Sequence, residues 1–185
     1  MRIITGKARG IQLNTLEGLE TRPTAERVKE AVFSMLQFDI EGRDVLDLFS
    51  GSGQMGLEAL SRGASHAVFV DKSPKAIKII KDNAKKTKLE QYADIWNCDS
   101  LDYIKRNKGK RFDIIFLDPP YSSGLYAPIL KALRDGDMLK PSTIIVCESD
   151  FQLIFEENAE LDGFYQIKKT SKYSKTVITF IEPKI

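Results

Sequence analysis

The feature that most constrains the fold is a repeated alternation of short apolar runs with longer amphipathic segments. The apolar runs lie at 45–49, 67–70, 93–97, 112–117 and 143–147. Helix-type segments follow them at 54–62, from Pro74, from Ser100 and at 126–134. Strands that alternate with helices pair in parallel, with helices on both faces of the sheet. The alternation therefore predicts a doubly wound, mostly parallel α/β sheet of Rossmann-like type.

Both ends of the chain depart from this alternation. The apolar runs 165–169 and 177–181 are too close together for a helical crossover, so we expect them to pair antiparallel. They bring the predicted sheet to seven strands. Residues 2–15 predict a short β-hairpin, and apolar residues at helical spacing from Val28 to Leu36 predict a helix. We expect one domain over residues 1–185, with an N-terminal extension over 1–40 and a core over 41–185.

Composition narrows the class of protein. The chain has 185 residues, of which 42% are apolar and 29% charged, as expected for one globular domain. No apolar run approaches the roughly 20 residues of a membrane span, and the N-terminus lacks the apolar segment of a signal peptide. Cys98, Cys147 and the single His66 have no metal-ligand spacing. These features predict a cytoplasmic protein with no membrane partner and no metal site.

Positive charge is clustered although the net charge is only +2. The N-terminal cluster is Arg2, Lys7, Arg9, Arg22, Arg27 and Lys29. The C-terminal cluster is Lys168, Lys169, Lys172 and Lys175, and a third lies within 105–111. Local basic patches on a nearly neutral chain favour a polyanion docked on one face.

A G-x-G-x-x-G motif, Gly51-Ser52-Gly53-Gln54-Met55-Gly56, lies between the first strand and its helix. Its glycines let the backbone approach a ligand closely, or they serve only turn and packing. Asp71 ends the next strand, where its carboxylate can accept ribose hydroxyl protons. By itself the motif indicates a dinucleotide, but little chain remains for a dehydrogenase's substrate domain. Asp47, inside the first strand, favours a ligand with an ammonium group.

The run Asp118-Pro119-Pro120-Tyr121 ends the fourth parallel strand, at the edge where open α/β sheets bind ligands. The lone pair of an exocyclic base amine is delocalised into the ring, which makes the amine a poor nucleophile. Asp118 and the Pro119 carbonyl can hold both amine hydrogens and turn the lone pair outward. Tyr121 can stack on a flipped base, worth about 1–3 kcal/mol. A proline-rich turn without chemistry is the alternative.

These motifs resemble two nested groups of proteins. The succession of a strand, a glycine turn, a helix and a strand that ends on an acid resembles the class I S-adenosylmethionine-dependent methyltransferases. The run 118–121 resembles the signature of amino-methyltransferases. With Arg2-Ile3-Ile4-Thr5-Gly6-Lys7, the segment 21–30 and the runs 45–53 and 56–63, the chain looks like a small bacterial family. That family methylates the N2 amine of one guanine in 16S ribosomal RNA. The resemblance covers nearly the whole chain.

The resemblance implies the cofactor, the partner and the site residues. The cofactor is S-adenosylmethionine, and the partner is 16S ribosomal RNA within the small subunit or its assembly intermediate, with the enzyme a monomer. The catalytic residues implied are Asp118, Pro119, Pro120 and Tyr121. The cofactor-binding residues implied are Asp47, Phe49, Gly51, Ser52, Gly53, Gly56, Asp71, Lys72, Asn97, Asp99, Ser100 and Asp118. The RNA-binding residues implied are Arg2, Lys7, Arg9, Arg22, Lys172, Tyr173 and Lys175.

Two other readings stay open on the sequence. One is an amino-methyltransferase with a different acceptor, such as adenine N6 in nucleic acid or a protein glutamine. The other is a non-catalytic RNA-binding module, which would keep the basic patches without needing Asp118. Glu148, at the end of the fifth strand, is a weaker candidate for a contact to the base, or else a solvated acid.

Overall fold

A computed structural model describes residues 1–16, 23–120, 123–150 and 159–184. The helices are α1 (Pro23–Met35), α2 (Gln54–Ser61), α3 (Pro74–Thr87), α4 (Ser100–Arg106), α5 (Tyr126–Asp135) and α6 (Ala159–Phe164). The strands are β1 (Asp44–Asp47), β2 (His66–Asp71), β3 (Ala93–Asn97), β4 (Phe112–Leu117), β5 (Leu139–Ser149), β6 (Tyr165–Tyr173) and β7 (Thr176–Pro183). Across the described ranges, no helix combines the length and apolarity needed to cross a membrane.

The seven strands form one sheet in the order β3-β2-β1-β4-β5-β7-β6. Strands β1 to β5 are parallel, and β7 runs antiparallel between β5 and β6. The doubly wound, mostly parallel α/β sheet with an antiparallel C-terminal hairpin is therefore confirmed. The chain order reverses between β1 and β4, which opens a crevice at their carboxyl ends.

Neighbouring strand residues divide between two apolar layers, because successive side chains point to opposite faces. Val45, Phe69 and Ile114 pack on the face that carries α1, α2 and α3. Leu46 and Ile115 pack on the face that carries α4, α5 and α6. Burial on both faces explains why these strands have continuous apolar sequences.

Three local predictions differ from the structure. Strand β1 ends at Asp47 and not at Phe49, so Asp47 lies at the strand's carboxyl end. The predicted hairpin over 2–15 is reduced to one bridge between Arg2 and Gln12, with flanking backbone bonds such as Ile3 N–H to the Ile11 carbonyl at 3.0 Å. Helix α6 was not predicted, because within its six residues only Leu161 is buried and no helical apolar pattern can form.

The N-terminal segment is fixed to α2 by a buried polar cluster around Glu58. The Glu58 carboxylate accepts the backbone N–H groups of Ile4 (2.8 Å) and Thr5 (3.0 Å), and the Arg62 Nε–H (2.8 Å). Lys29 Nζ lies 3.4 Å from the same carboxylate and donates to the Arg2 carbonyl at 2.5 Å. Both Glu58 and Lys29 are almost fully buried. We call these residues the Glu58 cluster.

Gly6 shows how closely the segment approaches α2. A Cβ at this position would lie 1.8 Å from the Ser61 carbonyl oxygen, and its φ is +89°. Only glycine satisfies both conditions. The turn at Gly6 therefore docks on the C-terminal end of α2, with the Lys7 N–H donating to Ser61 O at 2.8 Å.

Candidate active site

Two adjoining cavities open at the carboxyl ends of the strands, and Phe49 and Asp118 line both. The first has a volume of about 220 Å³ and extends from the glycine turn to the end of β5. The second has a volume of about 180 Å³ and extends from Asp71 to the start of α4. Asp118 thus stands at the junction of the two cavities.

Asp118 and Pro119 follow β4 directly. Solvent reaches Asp118 through the cavity, yet protein atoms surround its carboxyl group closely. The Pro120 carbonyl accepts the Ser123 N–H at 3.1 Å, whereas no backbone N–H in the described ranges donates to the Pro119 carbonyl. Of the two acceptors expected for an amine, the Asp118 carboxylate lines both cavities, whereas Pro119 is buried directly beside it in the chain.

Asp47 forms part of the floor of the first cavity. It is 4% exposed, and its Oδ2 has no hydrogen-bond partner among the described residues. Burial raises the pKa of Asp47 to about 7, the nearby Asp71 adds to the rise, and the N–H groups of Gly56 and Phe49 oppose it. A buried carboxylate oxygen of this kind is matched by a ligand ammonium group.

The glycine turn and Asp71 support each other. The Asp71 carboxylate accepts the N–H of Gly51 at 2.9 Å and that of Ser73 at 2.8 Å. Gly51 and Ser52 line the first cavity. A Cβ on Gly56 would lie 2.3 Å from the Phe69 ring, and one on Gly53 would lie 3.3 Å from Ile80. Gly51 and Ser52 therefore face the cavity, whereas Gly53 and Gly56 permit close packing against Ile80 of α3 and Phe69 of β2.

The second cavity collects residues from the ends of β2 and β3. Asp71, Lys72, Asp99 and Ser100 line it. The Ser100 Oγ is buried and has no partner in the described part of the chain, whereas Asp99 caps α4 by accepting the Leu101 N–H at 2.9 Å. Asn97 is exposed and donates to the Asp71 carbonyl at 3.0 Å. Ser100 is therefore the unsatisfied polar group on this side.

Glu148 brings a third carboxylate to the first cavity, beside Asp47 and Asp118. Burial raises the pKa of Asp118 well above its usual range, and the charges of Glu148 and Asp47 raise it further. Burial also raises the pKa of Glu148. Acids that oppose one another's ionisation in a cleft are characteristic of functional sites, and they favour a cationic ligand or a donor-rich one.

The sequence interpretation missed Asn83, which ties the N-terminal segment to the glycine turn. This fully buried side chain accepts the Asn14 N–H at 2.7 Å and donates to the carbonyls of Asn14 and Ser52, both at 2.9 Å. Thr15 and Leu16, the two residues after Asn14 in the chain, line the first cavity. Because Asn83 lies on a lysine-rich helix and its partners are backbone atoms, no local pattern could have revealed it.

The basic residues proposed for RNA binding lie in different places. The β6–β7 turn carries Tyr173 and Lys175, and β7 pairs Val177 with Ser149, so this turn projects beyond the end of β5 on the cavity side. Lys172 lies beside the same turn. Arg2 is exposed, with an ion pair to Glu26 at 3.4 Å.

Lys7 and Arg9 lie elsewhere, near the C-terminal end of α2. That end is about 10 Å from the cavity, given the rise of a helix per residue. Neither residue lines the described cavities, and their role in RNA binding stays a prediction. Arg22 and Tyr121 lie outside the described residues, and their roles stay predictions.

Comparison with known proteins gives consistent matches along the chain. The family model described as "Conserved hypothetical protein 95" matches residues 1–182. The chain is 39% identical to the Bacillus subtilis protein YlbH, which is named as an rRNA methyltransferase, over 85% of this chain and 86% of the relative. It is 37% identical to ribosomal RNA small subunit methyltransferase D of Haemophilus influenzae, over 85% and 84% of the two chains. The structure of Escherichia coli yhhF, named as a methyltransferase, superposes with a TM-score of 0.85 at 28% identity, over 100% and 98%.

Proposed function

This chain belongs to the family described as "Conserved hypothetical protein 95" and is a methyltransferase with the S-adenosylmethionine-dependent fold, and from this premise we propose that it methylates the exocyclic N2 amine of one guanine in 16S ribosomal RNA. The methyltransferase activity and the S-adenosylmethionine cofactor expected from the sequence are thereby confirmed. The observation that carries the proposal is the position of the Asp118 carboxylate at the junction of two cavities, with the Pro119 carbonyl next to it in the chain.

The cavities suit the cofactor's parts. S-adenosylmethionine, when bound, supplies an electrophilic methyl group. We assign its ribose to Asp71, its adenine to the side of Ser100, and its ammonium group to the Asp47 oxygen that no described residue contacts by a hydrogen bond. Gly51 and Ser52 would lie along its methionine part. The positive charge of such a ligand relieves the repulsion among the cavity's carboxylates.

Asp118 and Pro119 would act on the acceptor by orientation. Asp118 and the Pro119 carbonyl each accept one hydrogen of the amine, so the nitrogen lone pair is directed at the methyl group. Positioning of two reactants contributes more to such a transfer than strong basicity does. After transfer the amine proton is acidic enough to pass to Asp118 or to water. Pro119 and Pro120 remove competing backbone donors from the loop.

Some of the proposed RNA contacts lie near the end of β5, which lines the first cavity. Lys172, Tyr173 and Lys175 flank the end of β5, and Arg2 lies on the N-terminal side. Contacts of this kind to phosphates give affinity without reading sequence. We propose a cytoplasmic, monomeric enzyme that acts on 16S RNA free or within an assembling subunit. We also propose that the domain consists of an N-terminal extension over residues 1–40 and a catalytic core over residues 41–185.

The test is transfer of labelled methyl from S-adenosylmethionine to small-subunit particles that lack this modification, followed by nucleoside analysis. The expected product is N2-methylguanosine. Naked 16S RNA, DNA and a protein mixture serve as parallel substrates. Label in N6-methyladenosine or methylglutamine would retain the chemistry and overturn the acceptor. Absence of label from every substrate, despite cofactor binding, would favour the RNA-binding module.

A further inference from the structure

We propose that the Glu148 carboxylate accepts the N1–H of the target guanine and thereby selects guanine over purines that carry a lone pair at N1. The inference rests on the proposed function and deepens it. Its basis is the placement of Glu148 beside Asp118, in an apolar slot, with no donor to its carboxylate among the residues that the structure describes.

The strand register places the two carboxylates side by side. Leu117 of β4 pairs with Cys147 of β5, so the next residues, Asp118 and Glu148, are neighbours across the strands. Parallel neighbours lie about 4.8 Å apart. Leu117 and Cys147 pack against the α5 layer, so the next side chains point to the opposite face. Asp118 and Glu148 therefore share one face, which is why both line the first cavity.

The walls around this pair suit a flat ring. Val32, Phe116, Val146 and Ile178 line the cavity on the same side of the sheet. Ile178 is the register partner of Glu148 on β7, so an apolar wall directly adjoins the carboxylate. Apolar walls with a few convergent polar groups are the usual construction of a small-molecule pocket.

The Glu148 side chain is free to meet a ligand. In the described ranges, no group donates to its carboxylate, while its backbone carbonyl accepts the Tyr126 hydroxyl. Tyr126 begins α5, so this bond fixes the end of β5 against that helix. The nearby Asp47 Oδ2 is also buried and has no partner within the described ranges, which is independent evidence that this cavity is built for donor groups.

The chemistry of the base edge matches this arrangement. Guanine presents N1–H and the N2 amine next to each other, three hydrogens in a row. Asp118 and Pro119 can hold the amine, and Glu148 then meets N1–H. In adenine and 2,6-diaminopurine, N1 carries a lone pair and no hydrogen. That lone pair would face the Glu148 carboxylate, and two acceptors with no hydrogen between them repel each other. Flipped bases are read by such bonds to their Watson–Crick edge.

The test uses 2,6-diaminopurine, which keeps the N2 amine but has a lone pair at N1. Small-subunit RNA is prepared with guanosine or 2,6-diaminopurine at the nucleotide that receives the label. The ratio of kcat/KM for the two RNAs is measured for the wild type, Glu148→Gln and Glu148→Ala. Asp150→Asn, one step beyond β5 and exposed, is the matched control for loss of one negative charge. A ratio measured within one protein is independent of the fraction that is active.

The wild type should prefer guanosine by about 10- to 100-fold, the discrimination typical of a good base contact. Glu148→Gln, whose amide can donate to N1, should reduce that preference at least about tenfold, and Asp150→Asn should keep it. Glu148→Ala should lose the preference without gaining activity on 2,6-diaminopurine. An unchanged preference in Glu148→Gln and Glu148→Ala would overturn the inference. Failure of the wild type to label guanosine would instead overturn the proposed function.

Discussion

The Glu58 cluster and the floor of the first cavity both bury charged groups, but they satisfy them very differently. Glu58 meets two backbone N–H groups, Arg62 and Lys29 within 3.4 Å. Asp47 leaves one buried oxygen without a partner in the described part of the chain, and its neighbours Asp118 and Glu148 are also acids. Removal of one member of the Glu58 cluster would leave a buried charge uncompensated, whereas the Asp47 oxygen is open to a ligand donor.

The largest effect is expected from Glu58→Gln. Loss of the carboxylate charge leaves Lys29 buried without a counter-ion, which should lower the free energy of unfolding by about 3–5 kcal/mol. Urea denaturation measures the change. Glu30→Gln, an exposed position on α1, is the matched control and should change stability little. Equal effects of the two substitutions would show that the Glu58 cluster is not structural.

Asp47→Asn should act in the opposite direction on the ligand-free protein. The pKa of Asp47 is raised to about 7 from 3.8, so the folded protein binds the proton more tightly than the unfolded chain. Its ionisation therefore costs stability progressively from about pH 4 to pH 7. The variant should match the wild type near pH 4 and exceed its stability by about 2–4 kcal/mol above pH 7.

The same substitution should weaken binding of S-adenosylmethionine, because the ammonium group loses a charged partner. Denaturation at several pH values and calorimetric titration of the cofactor separate the two effects. If Asp47→Asn were less stable than the wild type above pH 7, or bound the cofactor equally tightly, Asp47 would be a structural acid like Glu58. Either result would contradict the proposed difference between the two regions.

A smaller loss is expected from Asn83→Ala, which breaks the three hydrogen bonds of this buried side chain. The Asn14 backbone groups and the Ser52 carbonyl lose their partner, at a cost of about 2–3 kcal/mol. Cofactor affinity should also fall, since Thr15 and Leu16 are no longer held at the cavity. Lys81→Ala, an exposed position on the same helix, controls for the change in helix composition. A stability loss with normal affinity would restrict Asn83 to a structural role.

The contrast also explains what sequence reasoning could and could not find. The strands, the glycine turn and Asp118 were predictable because each depends on a local pattern. Glu58 and Asn83 were not, since each holds backbone groups of the N-terminal segment that are distant in sequence, 54 residues away for the Ile4 N–H and 69 for the Asn14 N–H. The positions of Lys7 and Arg9 depend on how the N-terminal segment docks against α2. That docking cannot be predicted from the residue types alone.

The most direct test of the account compares methyl transfer and cofactor binding in Asp118→Asn. The amide preserves shape but removes a charged acceptor for the amine. We predict that transfer to small-subunit RNA falls by about 10²- to 10⁴-fold, the usual range for a positioned catalytic group. The dissociation constant for S-adenosylmethionine should stay within about tenfold of the wild type, one decade or about 1.4 kcal/mol. Undiminished transfer, or loss of transfer fully explained by loss of cofactor binding, would contradict the assignment of Asp118 to the acceptor.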